Sequence, residues 1–177
     1  MTSARLTSLF ALLLAFSFMT VEAQIIVSEY SSSNLNQFQD DFGKFEDWIE
    51  LHNTGTSDID LRGYGISDKE DNPQKWTIPN SLVLPAGGYL VLWCSGRDLM
   101  NGRKLHTNFK LTQTANKDFI VLSDPNGTII ESSPVQLTLL DHSRVKGPNG
   151  EWMISENPTP KDANEGPMLS KLSLIHI

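Results

Sequence analysis

From Gln24 to Lys171 short hydrophobic stretches are cut at close intervals by Gly, Pro, Asn and Asp, and this punctuation constrains the fold more than any other feature. "IIVSEY" gives way to a Ser/Asn/Gln-rich loop, "DWIELHN" to "TGTSD", "IDLRGYGISD" to "KEDNPQ", and "KWTIP" to "NS". "LVLPAGGYLVLWCSG" carries an internal Pro-Ala-Gly-Gly turn, and "DFIVLSD", "PNG", "TIIES" and "PVQLTLLD" follow. Runs of this length bounded by turn formers predict an all-β sandwich or barrel. None of them sustains a helical period, and neither heptads nor longer repeats occur.

Two turns can be read in detail. In "DPNG" (residues 124–127), Pro125 presets the first central φ and Gly127 accepts a positive one, which predicts a tight hairpin between "FIVL" and "TII". Gly87 and Gly88 let the chain reverse between Val83-Leu84 and the run Tyr89–Cys94, which is apolar on both faces as a central strand would be.

The stretch "FEDWIELHNTG" (residues 45–55) sets Glu46, Asp47, Glu50 and His52 around Trp48, residue types that serve as general acids, bases or metal ligands. Read as a strand, it sends Ile49 and Leu51 to one side with Asp47 and Asn53, and Glu46, Trp48, Glu50 and His52 to the other. The expectation is one exposed face, with carboxylates that are solvated or tied to neighbouring backbone.

Both ends stand outside this pattern. Residues 1–23 combine a basic Arg5, an apolar run from Leu9 to Met19 and a small-residue end, which reads as a secretory signal cut between Ala23 and Gln24. The apolar run is shorter than the ~20 residues a membrane-spanning helix needs, so no span is expected once the signal is removed. "LSLIHI" (residues 172–177) is the translation of CTG TCT CTT ATA CAC ATC, which resembles a transposase mosaic end, and is read as a sequencing-adapter artefact. The organisation expected is therefore a sandwich over residues 24–165, a linker beginning at 166–171, and a natural protein that continues further.

A formal net charge of -7 argues against a nucleic-acid partner, since phosphate binding needs clustered Lys and Arg. Cys94 is the only cysteine, so no internal disulfide is expected, and its strand-like setting reads as a small core hydrophobe.

The same segments carry a family resemblance. The chain resembles the lamin tail domain, in the version found in secreted bacterial proteins. The match begins at "IIVSEY" with its closing Glu29, continues through "DWIELHNTG" and "IDLRGYGISD" with Leu61 and Gly63, and is most specific at "KWTIP" and "LPAGGYLVL". It closes on "SRVKGPNGEWMISENPTPKDAN", which supplies Ser143, Arg144, Trp152, Thr159, Pro160 and Asn164. Two departures stand out: Lys161, where the family commonly has Gly, and the insertion-like loop "SSSNLNQFQDDFGKF"; neither is expected to touch the strands. The resemblance implies an immunoglobulin-like β-sandwich that is not itself catalytic.

Candidate chemistry is sparse. Asp141, His142 and Ser143 hold the letters of a serine triad, but neighbours in an extended chain point to opposite sides and cannot form its relay. The histidines, among them His52, His106 and His142, lack zinc spacing. Hard oxygen donors make a calcium loop at Asp68, Glu70 and Asp71 the minor cofactor alternative, with no cofactor the main expectation. Trp48, Trp76, Trp93 and Trp152 would stack on sugars if exposed, though strand-like settings favour the core. "NGT" (residues 126–128) is formally a glycosylation sequon.

The functional expectation is a secreted, noncatalytic interaction or adhesion module, the N-terminal part of a larger extracellular protein, whose partner is a protein or glycan surface. The alternatives are an accessory domain of a secreted hydrolase or nuclease, or a stand-alone carbohydrate-binding module.

Overall fold

The computed structural model describes residues 24–114 and 117–169. Residues 1–23, read as a secretory signal, and residues 172–177, read as an adapter artefact, lie outside them. The described residues form strands and loops without a helix. In chain order the strands are β1 (Ile25–Ser31), β2 (Asp47–Asn53), β3 (Ile59–Asp60), β4 (Gly65–Ser67), β5 (Trp76–Thr77), β6 (Val83–Leu84) and β7 (Tyr89–Cys94). They continue as β8 (Leu99–Asn101), β9 (Lys104–His106), β10 (Phe119–Ser123), β11 (Ile129–Pro134), β12 (Ser143–Lys146), β13 (Trp152–Ser155) and β14 (Met168–Leu169).

An eight-stranded sheet runs β14-β13-β12-β1-β2-β7-β9-β8, a four-stranded sheet runs β11-β10-β4-β5, and β3 pairs with β6. The β7–β9 pair is parallel and the other pairings are antiparallel. The inner faces of the two larger sheets meet in one core: Val27, Tyr30, Ile49, Leu51 and Leu92 come from the large sheet, Ile66, Ile120 and Leu122 from the smaller. This is an all-β sandwich, one of the two architectures, sandwich or barrel, that the turn spacing predicts.

The hairpin predicted at residues 124–127 joins β10 to β11. Asp124 N donates to Thr128 O at 2.9 Å, and Gly127 takes φ +83°. Gly63 sits at φ +83°, with Pro125 only 3.1 Å from where a Cβ would stand, so both conformation and space require glycine there. Past Gly87 and Gly88 the strands separate instead of pairing: β6 joins β3, while β7 lies centrally between β2 and β9. Met168–Leu169, in the stretch read as the start of a linker, form an edge strand on β13.

The expected exposed face of β2 is overturned. Ile49 and Leu51 do face the core, but Trp48 and Glu50 on the opposite face are 0% exposed. Two segments cover them. The loop at residues 34–45 packs Phe38 edge-on against Trp48 at 6.3 Å and Phe42 against His106 at 5.3 Å. This loop, read as an insertion clear of the strands, therefore lies on them. Asn34 pins it by donating from Nδ2 to Phe38 O (2.7 Å) and Glu46 O (2.8 Å). The second cover is the segment at residues 157–164, which carries Lys161, the other departure.

Candidate functional site

The four titratable residues of "FEDWIELHNTG" do not converge. Glu46 faces Lys110 and Arg97. Asp47 accepts from Asn34 N at 3.3 Å, and burial pushes its carboxyl up to about 6. His52 stacks on Tyr89, ring centroids 4.1 Å apart and planes 10° from parallel, and burial holds its pKa below the ordinary value.

Glu50 instead pairs with Glu29. A bulge at Ser28 shifts the β1–β2 register so that Glu29 lies directly opposite Glu50. Both side chains are 0% exposed, and like charges directly opposed across strands destabilise a sheet unless other groups compensate. Compensation comes from the closing segment. Thr159 N donates to both oxygens of Glu29 at 3.1 and 3.2 Å, Lys161 N donates to Glu50 Oε2 at 2.5 Å, and Ser28 Oγ donates to Glu50 Oε1 at 2.7 Å. Asn164 Nδ2 reaches Ser28 O at 3.1 Å.

Thr159 Oγ1 has one proton yet lies 3.0 Å from both Glu29 Oε2 and Asn164 Oδ1. A protonated Glu29 donating to the hydroxyl, which then donates to Asn164, satisfies both contacts. Burial raises the Glu29 pKa in the same sense, and burial pushes Glu50 up to about 7, with its hydrogen bonds opposing and the Glu29 charge reinforcing the shift. Glu29, Thr159 and Asn164 were singled out in the sequence by resemblance alone. Their joining spans 130 residues, and no local pattern carries such a contact.

Lys161 adopts φ +76°, the left-handed region where a side chain is strained, which accounts for the glycine common at this family position. Its amide can reach Glu50 because the chain turns there.

A second cluster was not anticipated. Ser95 Oγ lies 2.9 Å from His106 Nδ1, and Asp41 Oδ2 lies 3.6 Å from His106 Nε2. The residue types are those of a nucleophile relay, but 3.6 Å is beyond a hydrogen bond, and Asp41 also pairs with Lys104 at 3.3 Å. Ser95 is 6% exposed and His106 0%, roofed by Phe42. The cluster braces the 34–45 loop against β9. Asp141, His142 and Ser143 stay apart: Asp141 Oδ1 accepts from Leu35 N and Asn36 N, while Ser143 is buried.

The proposed calcium donors are engaged separately. Asp68 Oδ1 takes Lys75 Nζ at 2.6 Å with Lys69 3.7 Å from its other oxygen, Glu70 accepts from Ser132 at 2.6 Å, and Asp71 is exposed. Among the described residues no three His, Cys, Asp or Glu side chains are placed to share a metal ion. Trp48, Trp76 and Trp93 are buried, and Trp152 packs edge-on against Tyr30 at 4.8 Å. Cys94 is buried, and burial raises its thiol pKa well above the ordinary value. Asn126 is exposed at the hairpin tip.

Two open hollows remain on the outer face of the large sheet, one of about 340 Å³ and one of about 270 Å³, and Tyr89 lines both. Asn164 borders the smaller and Lys161 the larger.

This β-sandwich corresponds to a known family: the Lamin Tail Domain model matches residues 19–135, and the chain belongs to that family. The matched span includes β1, β2, β7 and the β10–β11 hairpin but stops before Thr159 and Asn164. No curated protein matches the chain.

Proposed function

We propose that this chain is a secreted, noncatalytic β-sandwich module of the kind found in secreted bacterial proteins, and that it mediates adhesion or positions a partner domain. The observation that carries this reading is the engagement of Glu50. Its two carboxylate oxygens are taken up by Ser28 Oγ and the Lys161 amide, and the residue is closed off from solvent. A general acid or base must reach a substrate proton within hydrogen-bond distance. Here that capacity goes to holding the chain's own closing segment. The leader-like residues 1–23 and membership of the lamin tail family support the rest of the reading.

The test is expression of the whole chain in a bacterial host. The exported product is expected to begin at Gln24 and to leave phosphodiester and glycoside substrates intact. Retention of residues 1–23 on a cytoplasmic product would overturn export, and turnover abolished by Glu50→Gln would overturn the noncatalytic assignment.

A further inference from the structure

The larger outer-face hollow has a floor of Val91, Trp93 and Tyr89, and its rim carries Arg103, Lys104 and Lys161 against one carboxylate, Asp41. On a chain of net charge -7 this is a local inversion of sign. Arg103 is held in place by donating to Val83 O (3.1 Å) and Tyr89 O (3.2 Å), which leaves further guanidinium donors unused. Lys104 is shared with Asp41, and the Lys161 ammonium has no ion-pair partner among the described residues. At about 340 Å³ the hollow falls at the lower end of the range for small-ligand sites, roughly 300–1,000 Å³.

We propose that this groove binds an acidic saccharide, a sugar ring bearing a carboxylate or sulfate, with its apolar face against the half-buried Tyr89 and its charge toward Arg103 and Lys161. The inference rests on the reading of the chain as a binding module and names its ligand class. An acidic peptide matches the charge but not the floor. β7 lies between β2 and β9 with its ladder already paired, so an added strand would find no backbone partners there. A sugar needs no ladder; it needs an apolar platform with polar groups at its edge, and Tyr89, steadied by its stack on His52, supplies one. The smaller hollow beyond Tyr89, bordered by Ser28, His52 and Asn164, extends the path for a second ring.

Titration calorimetry on the whole exported chain tests this, with a galacturonate hexamer, a heparin hexasaccharide, cellohexaose and a poly-glutamate peptide as probes. Either acidic sugar is expected to bind and to weaken as salt is raised, while cellohexaose and the peptide give no heat. Tyr89→Ser and the pair Lys104→Glu with Lys161→Glu should each weaken acidic-sugar binding by about tenfold or more, the scale of one lost charge-assisted or stacking contact. Retained wild-type melting temperatures would exclude misfolding as the cause, and Lys161→Gln alone provides a milder variant that leaves β7 untouched. No binding by either acidic sugar, equal binding of cellohexaose or peptide, or acidic binding unchanged in both variants would overturn the proposal. Cleavage of a bound oligosaccharide would instead overturn the noncatalytic reading while leaving the groove assignment standing.

Discussion

Replacing Glu50 with Gln isolates the charge on the buried pair. In the unfolded chain Glu50 titrates near 4.5, and in the fold near 7, because burial penalises its charged form. Between those values the native state holds a proton the unfolded state has released, so stability from this group is full below pH 4.5 and is lost as pH rises through 7. A shift of that size corresponds to roughly 3 kcal/mol at ~1.4 kcal/mol per unit. For a domain of this length that is roughly 6–12 °C in melting temperature. Glu29 and Asp47 are raised by burial too and add a decline of the same sign, so the informative quantity is the difference between proteins. Thermal melts of wild type and Glu50→Gln at pH 5 and pH 8 supply it. Glutamine mimics the neutral carboxyl but cannot ionise, and its amide nitrogen can donate to Ser28 Oγ, a hydroxyl that accepts as well as donates, while its carbonyl oxygen accepts from Lys161 N. The variant should therefore be close to wild type in stability at pH 5 and more stable than it at pH 8, where the wild type has lost the contribution of the protonated Glu50. Parallel pH profiles for the two proteins would refute the assignment of a buried, proton-holding Glu50.

Other perturbations follow from the same contacts. Lys161→Gly should stabilise the fold by about 0.5–1 kcal/mol in urea titration, the relief of a left-handed side chain less the entropy glycine loses on folding. Asn53, fully buried, donates from Nδ2 to Ser57 O, Leu84 O and Pro85 O and accepts from Gly55 N; Asn53→Ala should cost about 3 kcal/mol or more by the same measurement, because it strands several buried groups at once. Melting temperature should be the same in EDTA and in millimolar calcium, since Lys75 and Lys69 already neutralise Asp68.

What the sequence made legible was local. The alternation of apolar runs and turn formers predicted the strands, the 124–127 hairpin and the central position of β7, because each depends on residues close together in the chain. Burial of Glu50 was not legible. Its face of β2 is closed by loops from residues 34–45 and 157–164, and a loop's landing place depends on distant contacts such as Asn34 with Glu46 O and Lys161 N with Glu50. The charged letters of β2 thus looked like a solvated face. In the sequence Lys161 is a bare departure from the family pattern, and its φ of +76° supplies the reason glycine is common there. The cationic rim around Tyr89 gathers Arg103, Lys104 and Lys161 from separate segments, so composition, which is acidic overall, concealed it.

Glu29 and Glu50 hold the closing segment on the sheet through the amides of Thr159 and Lys161, and hydrogen exchange at those two amides reports that hold. Both amides donate to these carboxyl groups, so they should exchange far more slowly than free-chain rates in the wild type. In Glu29→Ala and Glu50→Ala that protection should fall while the amides of β7 and β10 remain protected. Free-chain exchange at Thr159 and Lys161 in the wild type would show that the two carboxyl groups do not hold the segment.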